Sequence, residues 1–392
     1  MEAIELSIIM PCLNEKETLE TCIRKAQEFL REHHVRGEIV VGDNGSTDGS
    51  PELARRCGAR VVDVAERGYG AAVHYASLAA HGRYIIMGDA DDSYDFLHLA
   101  PFLTNLRAGQ DLVVGNRFGG GIQPGAMPWK NHYIGNPLLS AVGRLFFRCS
   151  ARDFHCGLRG FSAAAFKAMD LRTTGMEFAS EMVIKATLMG LKIAEVPTIL
   201  HPDGRSRPPH LRPWRDGWRH LRFMLLYSPQ WLFLIPGCTA MAAGAAMVLI
   251  LLHGRLMIGS VSLDVHTLVY AAGAILIGFQ SVMFAAFTEV FAINEGLFPQ
   301  GTRPSRVLKV FKFETGLLVG GLLITTGLTF TVLAIRQWQR HAFGELDAET
   351  VLRQVVPAVL TLALGFQAVL SAFFLSVLRL GVRRQSPRPP AS

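Results

Sequence analysis

Tyr84-Ile85-Ile86-Met87-Gly88-Asp89-Ala90-Asp91-Asp92 is a short apolar run that ends abruptly in carboxylates. The run reads as a buried strand, and the loop that closes such a strand can turn neighbouring acids toward one point. Grouped carboxylates suit a divalent cation, Mg2+ or Mn2+, and a site that shares its metal with substrate phosphates needs only one or two of them. A surface turn or a helix N-cap is the competing reading of the same residues.

On the N-terminal side, residues 4–10 and 37–42 are also short apolar runs, separated by a 3.6-residue period over 17–32, and this predicts a βαβ unit. Residues 60–64 and 111–114 repeat the pattern, with helical stretches such as 71–80 between them. An α/β domain with a mostly parallel sheet follows, in which ligands belong at the carboxyl ends of strands. Asp43-Asn44-Gly45-Ser46-Thr47-Asp48-Gly49 closes the second run with short polar groups that can hold a ribose or base, or cap a helix. Gly68 and Gly70 permit close backbone approach to phosphates.

The second half of the chain has a different solvent. Half of the 392 residues are apolar and only 18% are charged, which is too hydrophobic for a wholly soluble protein. Residues 231–252, 268–293, 316–335 and 355–378 form long runs almost free of charge, each able as a helix to cross a hydrocarbon core of roughly 30 Å. Four expected segments result: a cytoplasmic domain over 1–209, an interfacial amphipathic stretch over 210–230, a four-helix transmembrane domain over 231–380, and a basic Pro-rich tail over 381–392. Glu289 near the end of the second run is expected to shorten that span at Phe287, the alternative being that it marks a polar contact. Gly316, Gly320 and Gly321 suit helix packing within one chain or between copies in a homo-oligomer.

Charge sets the expected orientation. Arg303, Arg306, Lys309 and Lys312 follow the second span, and Arg379, Arg383, Arg384 and Arg388 follow the fourth, which puts both regions on the cytoplasmic side of an inner (plasma) membrane. Glu2 and Glu5 flank an apolar stretch too short for a secretory signal, so the first domain and both termini are expected in the cytoplasm. Trp214, Trp218 and Trp231 stand among Arg212, Arg215, Arg219 and Arg222 just before the first span, as in a segment lying on a bilayer surface. The net charge of +7 therefore points to lipid headgroups; no nucleic-acid partner is expected, since no basic stripe interleaved with aromatics occurs in the first 200 residues. Cys12, Cys22, Cys57, Cys149, Cys156 and Cys238 lack paired spacing and read as reduced structural thiols.

Several further stretches occur in a fixed order with those above: Ser7 to Glu15, Arg67-Gly68-Tyr69-Gly70-Ala71-Ala72, Gly115-Asn116-Arg117-Phe118, Asp153 to Phe161, Gly175 to Glu181, and Glu195-Val196-Pro197. Over about 200 residues the set resembles family 2 glycosyltransferases of the dolichol-phosphate mannose synthase branch, which includes bacterial polyprenyl-phosphate glycosyltransferases. The resemblance implies a GT-A-type, Rossmann-like nucleotide-sugar domain. It implies that Pro11, Leu13, Glu15, Asp43, Gly68, Gly70 and Asp89 serve the nucleotide, and that Asp89 and Asp91 hold Mg2+ or Mn2+. It gives Asp91 and Arg117 catalytic roles, makes Asp153 the candidate for positioning or accepting a proton, and sets Arg117, Arg205 and Arg207 at the acceptor phosphate. His201-Pro202-Asp203-Gly204-Arg205-Ser206-Arg207 departs from that branch's usual Arg-x-x-Gly-Glu-Ser-Lys-like segment.

The implied reaction is inverting transfer of a sugar from a UDP- or GDP-sugar to undecaprenyl or dolichyl phosphate. Two other functions fit the same residues: a glycolipid synthase with a neutral lipid acceptor, and a non-catalytic scaffold or transporter of lipid-linked sugars. A processive polysaccharide synthase fits less well, since a Gln-x-x-Arg-Trp segment is absent.

Overall fold

The computed structural model describes residues 3–206, 213–295, 298 and 312–380. Two compact units divide the chain between Tyr227 and Ser228. The expected tail over 381–392, the basic residues Arg303, Arg306 and Lys309, and Arg207 lie outside the described residues.

The first unit is built on β1 (Leu6–Cys12), which is buried along its whole length. It pairs in parallel with β2 (Gly37–Asp43) and β4 (Tyr84–Met87), and a parallel strand covered on both faces has no reason to alternate polar with apolar residues. β3 (Arg60–Asp63) extends the parallel run beyond β2. Connecting helices α1 (Leu19–Glu32), α2 (Ser50–Arg56) and α3 (Tyr69–Ala79) follow the first three strands. α1 buries Leu19, Cys22, Ile23, Ala26 and Phe29, the three-and-four spacing of one helix face.

Beyond β4 come α4 (Ala100–Arg107), β5 (Leu112–Asn116), a single turn α5 (Arg117–Gly120) and α6 (Asn136–Phe147). β6 (Arg159–Ser162), α7 (Ala163–Met169), α8 (Phe178–Leu188) and β7 (Ile193–Pro197) complete a seven-stranded sheet in the order β3-β2-β1-β4-β6-β5-β7. β6 runs antiparallel to both its neighbours, while β7 is parallel to β5. The sheet is thus mostly parallel, with one reversed strand wedged between β4 and β5.

The stretch expected to be a separate interfacial piece belongs to this unit. Its helix α9 (Pro213–Leu226) buries Phe223 and Met224 in the same apolar core as the sheet. His220 lies on that inner side, its ring 4.5 Å from the His155 ring, and burial pushes its pKa down to about 4. Trp214 and Trp218 face outward, 82% and 61% exposed, so the helix carries opposite chemistries on its two sides.

In the second unit a wide turn, Gln230–Leu234, leads into α10 (Ile235–Leu252), followed by α11 (Val265–Asn294), α12 (Phe313–Arg340) and α13 (Ala348–Arg379). All four are long and apolar enough to cross a membrane. α11 continues past Glu289 to Asn294, so the helix itself runs beyond Phe287, where the membrane span is expected to end. A small hairpin, β8 (Leu256–Ile258) and β9 (Val261–Leu263), joins α10 to α11, with Gly259 at φ 61° in its two-residue turn. Gly316 lies against Ala372, and Gly320 against Val369 and the Gly365 carbonyl, so these two glycines pack α12 on α13 within one chain. A side chain at Gly321 would meet open space.

α8 fixes the loop ahead of it through a buried carboxylate. Glu181 accepts hydrogen bonds from the Arg172 amide (3.1 Å) and from the Thr173 amide (2.8 Å) and hydroxyl (2.6 Å), and pairs with Lys185 at 2.8 Å. Both side chains of the pair are buried, and stripping one partner from such a pair costs about 3–5 kcal/mol. Glu181→Gln, which keeps an acceptor oxygen but leaves the Lys185 charge buried without its partner, is therefore expected to lower the thermal melting point of the purified protein well below that of the wild type; a wild-type melting point would refute the charge argument.

Candidate active site

The carboxyl ends of β1, β2, β4 and β5 converge on one face of the first unit. β1 runs out at Pro11 and Cys12, whose register partners are Gly42 and Asp43; Leu13 is half-buried and Glu15 buried. Asp43 accepts hydrogen bonds at Oδ2 from the amides of Gly45 and Ser46, both 3.0 Å. Its Oδ1 is buried and accepts no hydrogen bond among the described residues. A carboxylate held rigid by one oxygen and left open at the other is a ready acceptor for an incoming hydroxyl or N–H.

After β4, Asp89 accepts a hydrogen bond from the Tyr69 hydroxyl at 2.9 Å. Burial raises its pKa to about 7, and the neighbouring Asp91 charge adds to the rise. Asp91 accepts from the Ser93 amide (3.1 Å) and hydroxyl (2.6 Å) at Oδ1, while Oδ2 pairs with Arg205 at 2.9 Å. Asp92 turns away to Lys25, 2.8 Å distant on α1. The acidic run thus separates into a pair in the site and a third member that ties down a helix. Among the described residues no three His, Cys, Asp or Glu side chains form a complete metal site. The donor set of Asp89 and Asp91 fits a hard cation that completes its shell with water and substrate phosphate.

Arg117 begins α5 immediately after β5. Asp153 holds it with two parallel bonds, Nε to Oδ2 and Nη2 to Oδ1, each 2.7 Å, and takes the Arg117 amide as well at 3.1 Å. Burial works against the guanidinium charge, but the surrounding Tyr94 and Asp153 outweigh it and raise the Arg117 pKa. Asp153 is fully buried, with both oxygens spent on Arg117. Asp153, expected to position or accept a proton, here directs its carboxylate at the Arg117 guanidinium. Arg117 is close enough to Asp89 for its charge to bear on that carboxyl.

A side chain at Gly68 would strike the Thr174 carbonyl oxygen and one at Gly70 that of Thr173, so both positions allow the 173–175 loop to approach closely. Tyr69 between them supplies the hydroxyl on Asp89.

Two residues beyond the sequence-based assignments complete the site. Arg159, wholly buried, donates to the carbonyls of Cys156 (2.8 Å), Ala179 (2.6 Å) and Phe154 (2.5 Å), and burial lowers its pKa. Asp203 joins Asp91 and Glu15 around Arg205, at 2.8 Å, 2.9 Å and 3.1 Å. An acid two residues before an arginine is the sequence signal for the second; nothing in a sequence marks three carbonyls as the partners of the first.

A nucleotide-sugar type of α/β unit followed by spanning helices is the build of a membrane-associated glycosyltransferase. Residues 7–169 match glycosyltransferase family 2, and residues 286–379 match the glycosyltransferase family 2 C-terminal transmembrane region. The chain is 36% identical over 376 residues to the low-salt glycan biosynthesis hexosyltransferase Agl6 of Haloferax volcanii, spanning 95% of this chain and 89% of that protein. It is 30% identical over 194 residues to a dolichyl-phosphate hexose transferase of the same organism, spanning 49% of this chain and 81% of that one. Glucosyl-3-phosphoglycerate synthase from Mycobacterium tuberculosis, solved in complex with Mn2+ and uridine-diphosphate-glucose, aligns at 23% identity with a TM-score of 0.46, over 57% of this chain and 79% of that chain. This chain belongs to glycosyltransferase family 2.

Because Asp153 acts through Arg117, the two should behave as one unit. Arg117→Ala is expected to lower kcat/KM by about 100-fold, a cost typical of losing one donor to developing charge. The Arg117→Ala/Asp153→Ala double variant should be no slower than Arg117→Ala alone. Multiplicative losses in that cycle would give Asp153 an independent role.

Proposed function

We propose that this glycosyltransferase moves a hexose from a UDP- or GDP-sugar to a polyprenyl phosphate, undecaprenyl or dolichyl, at the cytoplasmic face of an inner membrane. The observation that carries the reading is the pairing on one wall of two kinds of group: the Asp89–Asp91 carboxylates, suited to a metal-bound diphosphate, and the locked Arg117 guanidinium, suited to a phosphate. The likeness to a dolichyl-phosphate hexose transferase supports the same acceptor class.

In this reading Asp43 Oδ1 takes a hydrogen bond from the nucleoside, and Pro11, Leu13 and Glu15 form the floor beside it. Asp89 and Asp91 would hold Mg2+ or Mn2+, which when bound supplies positive charge opposite the donor's diphosphate. Arg117, fixed in direction by Asp153, orients the acceptor phosphate for in-line attack on the anomeric carbon. The anomeric carbon–oxygen bond to the diphosphate breaks as the phosphate oxygen forms its own, and configuration inverts. A phosphate monoester has a second pKa near about 6 and is already largely ionised at neutral pH, so the burial of Asp153 leaves the chemistry without a missing base.

The spanning helices then hold the enzyme where a polyprenyl tail is dissolved, and the outward Trp214 and Trp218 of α9 suit the headgroup layer. Purified protein should release nucleoside diphosphate only when donor, polyprenyl phosphate and Mg2+ or Mn2+ are all present. Asp89→Ala and Asp91→Ala should each cut that release by about 100-fold or more with the fold retained. Undiminished release in both variants would defeat the metal assignment, and turnover of a neutral lipid alone would replace the acceptor.

A further inference from the structure

Arg205 occupies the side of Asp91 that a cation would need. Asp91 Oδ1 is committed to Ser93, so Oδ2 is the oxygen left for a metal, and Arg205 Nη2 holds it at 2.9 Å. The same guanidinium reaches Asp203 Oδ2 at 2.8 Å and Glu15 Oε1 at 3.1 Å, and its side chain is only 10% exposed. One positive group among three carboxylates is a local stand-in for the charge of an ion.

The segment carrying it is laid tightly across the site. His201 donates to the Ser93 carbonyl at 3.0 Å and Gly204 to the Asp91 carbonyl at 2.9 Å. Ser206 binds Glu17 through both its amide (2.7 Å) and its hydroxyl (2.6 Å). Arg205 Nε, by contrast, is buried without a hydrogen-bond partner among the described residues. The main chain of 201–206 is therefore tied down at three amides, while the arginine head, held by three carboxylates at its terminal nitrogens, still leaves its buried Nε unmatched.

We infer that Arg205 is an internal counter-ion that a divalent cation must displace from Asp91, so that metal entry and release of the Arg205 head are one event. The inference rests on the metal assignment of Asp91 above. Its cost to the metal is the fraction of molecules in which Asp91 is already taken, and by reciprocity a bound metal frees the guanidinium.

Mn2+ binding to the full-length protein in detergent, followed by the electron paramagnetic resonance of free Mn2+ and without nucleotide, tests this directly. Arg205→Gln should bind Mn2+ roughly tenfold tighter than wild type, the gain expected when a competing occupant is removed. Equal or weaker binding by a folded Arg205→Gln overturns the exchange while leaving the metal assignment standing. No Mn2+ binding by either protein, with or without UDP or GDP, overturns both. The wild-type chain gives a second reading free of any folding defect: modification of Arg205 by phenylglyoxal, mapped by peptide mass, should accelerate in saturating Mn2+. An unchanged modification rate overturns the exchange.

Discussion

Arg159, a guanidinium that pairs with no carboxylate among the described residues, organises the reaction wall. It lies wholly inside the first unit and spends its hydrogen bonds on the carbonyls of Phe154, Cys156 and Ala179. Those oxygens come from two separate stretches, so the arginine clamps the loop before β6 onto the start of α8. Taking it away would strand three buried acceptors, each costing about 1–3 kcal/mol. The clamped loop then does the positioning: Asp153 at its beginning aims Arg117, and Gly157 near its end leaves space for Asp89, whose carboxylate a larger residue would strike. Tyr94 fixes the same loop by accepting a 3.0 Å hydrogen bond from the Gly157 amide.

The parallel half of the sheet was legible because its inner strands follow one rule, a mostly apolar run behind burial on both faces: β1 and β4 are buried throughout and β2 from Ile39 to Asp43. β6 breaks that rule. It is four residues long and contains a glycine and an arginine, a composition that reads as loop until the carbonyl partners of Arg159 are known. The same limit applies to single residues in the site. Sequence order marked Asp153 as an acid near the chemistry, but only geometry shows both of its oxygens turned to Arg117. Glycines at 68 and 70 announced a close approach without saying what approaches, and Asp92 stood in the acidic run without revealing that it serves Lys25.

The membrane half was legible for a different reason, since a hydrocarbon solvent demands a minimum run of apolar side chains. Three of the four helices nevertheless outlast their apolar windows: α11 runs over Val265–Asn294, α12 begins by Glu314 and ends at Arg340, and α13 takes in Glu349, Arg353 and Arg379. Backbone hydrogen bonding continues into water at no penalty, so hydropathy marks the lipid-facing centre of a helix and not its ends. Packing between α12 and α13 uses Gly316, Gly320 and Gly327 against Ala372, Val369 and Leu362, the close approach expected where no water is available to drive helices together.

The cations that bear on the Asp89–Asp91 pair among the described residues, Arg117 and Arg205, are both arginines. A guanidinium does not give up its proton in a protein, whereas a buried lysine often does. The positive side of this site is consequently a constant of the fold. Acidification or alkalinisation reaches the chemistry through the carboxylates, Asp89 first among them, and through the phosphates that substrates bring with them, while the arginines those phosphates meet keep their charge.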